Sequence, residues 1–354
     1  GGDISVATGY SEGTSSGSFT FATPNAGTSG ISGGFDVHTG TASNGDSGSY
    51  TLTTGDATSG KSGSMTMKIG TGNTGHGGRF ELDVGDTTGA NGDGGSITVT
   101  AGHSNDPSGN HGGSIAITAG HTKGSETSDH GGSITVNAGL SASGNGGDIS
   151  VATGYSEGTS SGSFTFKTSD AGKDGVSGGF QMTTGSSTAG DSGSLSFLSG
   201  TARNGKSGFI RIVIGSGNTG TGGDVSLASG ETTDTASGGM FSLSTGASTK
   251  TSSGNLYFAT ANAGTAGVSG SIQLNTGTAS AGTSGSMTFN TGHATGGKGG
   301  DIVVSVGTGN TGVGGDVSMT AGESNSESGG TMTLRTGYST KSSSGNLFIS
   351  TPNS

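Results

Sequence analysis

The stretch GGDISVATGYSEGTSSGSFTF occupies Gly1–Phe21 and returns, letter for letter, at Gly146–Phe166. It holds small polar residues and a few alternating apolar ones, so no catalytic motif explains its duplication. Cutting the chain before each G-G or S-G junction yields units such as GGFDVHTGTASNGDS, GSYTLTTGDATSGKS and GSIQLNTGTASAGTS. Their shared pattern is G-x-h-x-h-x-T-G-x-x-x-x-G-x-S, with h apolar. Internal periodicity of this kind, about 15 residues repeated about 23 times, is the first guide to architecture.

Within each unit the apolar residues alternate. Ile4, Val6 and Thr8 share one parity, as do Phe19, Phe21 and Thr23, then Phe35, Val37 and Thr39. Ser, Thr, Asp, Lys or Arg fills the positions between, so one face is apolar and the other solvated, the period of a strand. After each T-G step come a polar turn and a short run of Gly, Ala and Ser. The predicted fold is all-β, a parallel β-solenoid (β-helix) with two short strands per coil, bulky side chains on one face and small ones on the other. Stacking would align the third-site Thr residues, hydroxyl to hydroxyl, about 4.8 Å apart.

Larger blocks stand above the coil. Residues 1–93, 146–237 and 238–328 align as six-coil blocks, and 329–354 begins a fourth. Their fifth coils, MTMKIGTGNTGH, IRIVIGSGNTGT and IVVSVGTGNTGV, replace the third-site Thr by Ile69, Ile214 or Val306. Residues 94–145 are three inserted, His-rich coils, each built on GGSI. The chain opens inside a repeat and closes inside one, at TPNS, where the stretch at Thr23 continues as TPNAGTSG; the expectation is a piece of a longer protein.

Composition excludes several classes. Of 354 residues, 81 are Gly, 3 are Pro and none is Cys, so neither a disulfide framework nor collagen is written here. Only 26% are hydrophobic, too few for several ordinary cores, yet 10% charged and a strict period do not read as disorder. The net charge is −11 and the 13 Lys and Arg never cluster, which argues against nucleic acid as a partner. No apolar run approaches the length of about 18 residues needed to cross a membrane. No helical period accompanies the many G-x-G matches, so they are coil junctions rather than phosphate loops.

The combination of S-G-x-I-x-L-x-T-G-x-A-x-x-G-x-S (Ser269–Ser284), G-x-G-N-T-G-x-G-G-D-V-S (Gly215–Ser226) and T-A-N-A-G-T-A-G-V-S (Thr260–Ser269) resembles secreted Gly/Ser/Thr-rich β-solenoid repeat proteins of diatoms and related stramenopile algae. The resemblance implies an extracellular or cell-surface fibre: part of a flagellar hair, an adhesive or a wall coat. It supplies no catalytic residue.

Candidate sites are few. The coil-final position reads His76, Asp93, His111, His130 and Asn145 on consecutive coils, and His103 and His121 follow A-G in two of them. Stacked rungs about 5 Å apart would let His76, Asp93, His111 and His130 surround a divalent ion such as zinc. The same corner elsewhere holds Ser16, Ser32 or Lys298, so turn variation is the alternative. The G-G-D junctions at Asp3, Asp148, Asp224, Asp301 and Asp316 lack the G-x-D half of calcium β-roll repeats. Arg79, Glu81 and Asp83 share a face and read as a solvated salt-bridge trio rather than an active site. No catalytic residue and no cofactor is assigned, and the chain is not read as an enzyme.

The functional expectation is a structural extracellular filament protein. Its partners are itself, end to end or laterally, and glycans or other matrix proteins. An ice-binding or glycan-binding adhesin is the alternative, although the Thr column shares parity with the core. The long turns GHSNDPSGNH (102–111) and GHTKGSETSDH (120–130) are the candidate lateral contacts. There is no N-x-S/T sequon, and the Ser- and Thr-rich turns suit O-glycosylation.

Overall fold

The structure is a computed structural model that describes every residue except Asn91, Pro107, Asn110, Ser125, Thr127, Asn353 and Ser354. Two units divide the chain, Gly1–Phe180 and Gln181–Ser354, with the boundary inside the 146–237 block.

Among the described residues there is neither helix nor strand, which overturns the parallel β-solenoid, or β-helix, and the all-β class with it. Period-two alternation survives in the segments, called limbs below. Leu256 and Phe258 are partly covered while Tyr257 between them is 85% exposed. The limbs are therefore extended, but no ladder joins them.

The physical reason lies at the turns. Gly17 N–H donates to Gly9 O at 3.1 Å, and Gly162 to Gly154 at 3.0 Å, Gly254 to Gly246 at 3.0 Å and Gly345 to Gly337 at 2.8 Å. Each bond ties the start of one limb to the end of the limb before. In these four turns the Gly-, Ala- and Ser-rich run, expected to form a second strand, is spent closing a loop, and other turns return the chain without that bond. With no second strand there is no second sheet to pack on.

The next limb then runs backwards. Phe21 and Phe35 have ring centroids 5.7 Å apart, and Phe166 and Phe180 repeat the pair at 5.6 Å. A Cβ built on Gly33 would lie 3.5 Å from Thr23 Cβ, so the limb carrying Phe35 starts where the limb carrying Phe21 ends. Had it continued onward, Phe35 would stand about four residues, or some 13 Å, from Phe21. Reversal alone brings the rings together. A parallel wind would instead have set Phe35 beside Phe19.

Ile4 and Ile149 show how far neighbouring limbs stay in contact, because their sequences are identical. Ile149, just after a turn, is 57% exposed; Ile4, in the first limb described, is 94% exposed. Ile349, in the last limb described, is 84% exposed. Each limb is thus covered by the preceding limb at its first apolar site and by the following limb at its last. Contact is confined to the vertices, and the arms splay between them. No described residue is buried, so the peptide groups of the limbs are left to water.

The third-site Thr residues also part from expectation. Thr8 and Thr23 end successive limbs of opposite direction, so they lie at opposite edges. Among the described residues no hydroxyl bond joins one such Thr to the next, and the Thr column does not form. Each Thr packs instead against the junction glycine that opens the following limb, as Thr39 does at Gly48.

Two sequence signals shape the turns. In the G-x-S turns, Ser Oγ two residues after the glycine accepts the backbone N–H three residues on: Ser11 from Thr14 (3.1 Å), Ser156 from Thr159 (3.0 Å), Ser248 from Thr251 (2.9 Å) and Ser339 from Ser342 (2.9 Å). This is the local bond that lets Ser compete with regular structure. These four turns are also closed by the glycine-to-glycine bond, but closure does not follow from the serine alone: the equally long turn in which Ser187 accepts Gly190 N–H at 3.0 Å lacks it, as do those with Ala42, Ala57, Ala279 or Ala294. In the G-N-T-G turns of the fifth coils, Gly75, Gly220 and Gly312 take φ of 76°, 75° and 89°. That left-handed region is cheap for glycine alone.

Candidate interaction face

Ten of the limb charges, Asp3, Asp36, Lys68, Arg79, Glu81, Asp83, Lys167, Arg211, Asp301 and Arg335, all fall on the outward parity. Arg79 pairs with Glu81, and Lys298 Nζ lies 2.8 Å from Asp301 Oδ2, both in solvent. Exposed pairs of this kind contribute about 0.2–1 kcal/mol. Asp83 joins no ion pair among the described residues, so the expected trio is a pair.

The inward parity carries apolar side chains at its first two sites, most often with Thr at the third, and it is open. In the second unit, Phe258, Ala259, Ile272, Leu274 and Phe289 line a recess of about 540 Å³. It occupies the gap between splayed limbs and carries no polar side chain. Sugar and catalytic sites need a few convergent polar groups to orient a ligand. A neighbouring recess adds Met287, Met319 and Met332, with Ser318, Thr320 and Thr331 at its rim.

The histidine column is divided by the reversals. Consecutive turns lie on opposite edges, so His76 and His111 fall on one edge and Asp93 and His130 on the other; His103 and His121 are likewise separated. Turns on the same edge are two limbs apart, about 10 Å even at sheet spacing. Zinc ligands each lie about 2.0–2.3 Å from the ion. Among the described residues no three His, Asp or Glu are gathered where they could hold a metal. His130 Nδ1 is instead 2.7 Å from Ser128 O, within its own turn. The long turns 102–111 and 120–130 include Pro107, Asn110, Ser125 and Thr127, so their reading as lateral contacts falls partly outside the described residues.

The Ser turns were missed in the sequence, although G-x-S against G-x-A after each T-G was there to be seen. No helix among the described residues is long and apolar enough to cross a membrane. No family model, no curated protein and no solved structure matches the chain.

Proposed function

We propose that this chain is a structural repeat protein of an extracellular or cell-surface fibre, acting by assembly with itself rather than by chemistry on a substrate. One observation carries the reading. The chain exposes 35,324 Å² for a mass of 33.4 kDa, nearly three times the roughly 12,600 Å² of a compact monomer of that mass. Ordering each residue costs about 1–2 kcal/mol, and with no residue buried among those described the chain has little to set against that. Its order must come from neighbours. Near-identical units suit this, because each offers the same surface to the next. The absence of clustered Lys and Arg turns it away from nucleic acid, and the O-glycosylation expected at the turns belongs to the outward side.

The test is sedimentation and electron microscopy of the purified chain over a concentration series. Concentration-dependent growth into filaments or sheets is expected. A monodisperse monomer at all concentrations would overturn the reading and favour the ligand-binding alternative.

A further inference from the structure

We propose that the inward parity face is covered by a second copy of this chain, limb against limb, in a register that can step two units at a time. The inference rests on the assembly reading above and assigns the surface that performs it. Three observations select this occupant. First, the inward sites repeat Ile, Val, Phe, Leu and Met from limb to limb, with no charge among them, so mating two such faces traps no unpaired ion. Second, the exposed surface exceeds that of a compact monomer by about 23,000 Å², far above the roughly 800 Å² per partner that a stable interface requires.

Third, charge and period match only a like face. The limb charges all fall on the outward parity, so two copies mated by their inward faces leave every limb charge in water. The gaps between splayed limbs, such as the one bordered by Phe258, Ile272 and Phe289, are lined by apolar side chains. Side chains of equal spacing fit them unit after unit. A partner lacking this spacing would match at one limb and fall out of step at the next. The inward apolar pattern repeats from limb to limb, so registers differing by two units, which restore the limb direction, are close in energy.

The chain contains no Cys, which allows single-cysteine crosslinking on the full protein. Val37→Cys places a thiol on the inward parity and His38→Cys one on the outward parity of the same limb. Under mild oxidation, Val37→Cys should give covalent dimers at least fivefold faster than His38→Cys. Mixing Val37→Cys with Val136→Cys, on a limb of the same direction, should also give heterodimers, reporting the unit steps. Sedimentation of both variants before oxidation checks that assembly persists. Assembly with equal crosslinking, or with faster crosslinking at His38→Cys, would overturn the face assignment and leave the assembly reading standing. No assembly at all would remove both. Protection of Val37→Cys from a thiol reagent by added polysaccharide, without dimers, would give the face to a glycan and overturn the proposal.

Discussion

Phe21 and Phe35 stand with their ring centroids 5.7 Å apart, while Phe19, the residue a parallel wind would set beside Phe35, packs edge-on to Phe21 at 4.5 Å. This pairing turns a stack of coils into a chain that doubles back at each turn. It also says where contact ends, because the arms meet at the vertex and part beyond it.

Spin labels on outward positions measure that geometry. Labels at Ala22 and Gly34 flank one vertex and are expected to lie close together, whereas labels at Ser18 and His38 sit on the parted arms and are expected to be far apart. Stacked parallel coils would make the two distances nearly equal, at some 13 Å between backbones. Dipolar electron paramagnetic resonance distinguishes the two results, and equality would refute the reversal.

The Ser turns make a local prediction. Ser11→Ala removes the acceptor for Thr14 N–H and is expected to cost about 0.5–1 kcal/mol of turn stability. The Thr14 amide should then exchange several-fold faster, with little change at distant turns. In the other direction, Ala57→Ser should slow exchange at Gly60. An unchanged Thr14 rate would show that the hydroxyl does not hold the turn.

Fifth-coil glycines answer to two different constraints. A Cβ on Gly78 would stand 2.6 Å from Ile69 Cγ2, so Gly78→Ala forces the isoleucine aside, and the double variant with Ile69→Ala should recover most of the loss. Gly75 is different, because its φ is 76° and a Cβ there meets nothing. Gly75→Ala is expected to cost about 1–2 kcal/mol and Gly75→Asn less, with no rescue from Ile69→Ala. Exchange rates in the 70–78 turn provide the readout, and rescue of both variants alike would contradict the assignment.

Zinc titration tests the divided histidine column. With His111 and His130 on opposite edges, His111→Ala and His130→Ala should each lower any zinc uptake independently of the other. Calorimetry in which either variant abolishes the whole signal would show one shared ion and overturn the edge assignment.

Association should also rise with salt. The chain carries a net charge of −11, and the repulsion between copies is screened as the Debye length falls from about 30 Å at 0.01 M to about 8 Å at 0.15 M. Light scattering across that range is expected to show faster growth at the higher salt. Slower growth would mean that opposite charges, rather than apolar faces, bring the chains together.

Much was written in the order of the residues. The repeat, the alternation of Phe19 and Phe21 with Ser18 and Thr20, the outward placement of Arg79 and Glu81, and the turn after each T-G all follow from period and side-chain chemistry. These are local properties, and extended backbone puts neighbouring side chains on opposite faces whatever lies beyond. The direction of the next limb is not local. It depends on whether the eight or so residues after Thr8 spend their backbone groups on a neighbouring coil or on closing their own loop, and the bond from Gly17 to Gly9 decides for the loop. One pattern of apolar and small residues serves both outcomes. The alternation of faces is therefore legible in the sequence, whereas the edge on which His111 and His130 fall was settled only by the tertiary structure, because a single reversal per turn sends successive corners to opposite sides.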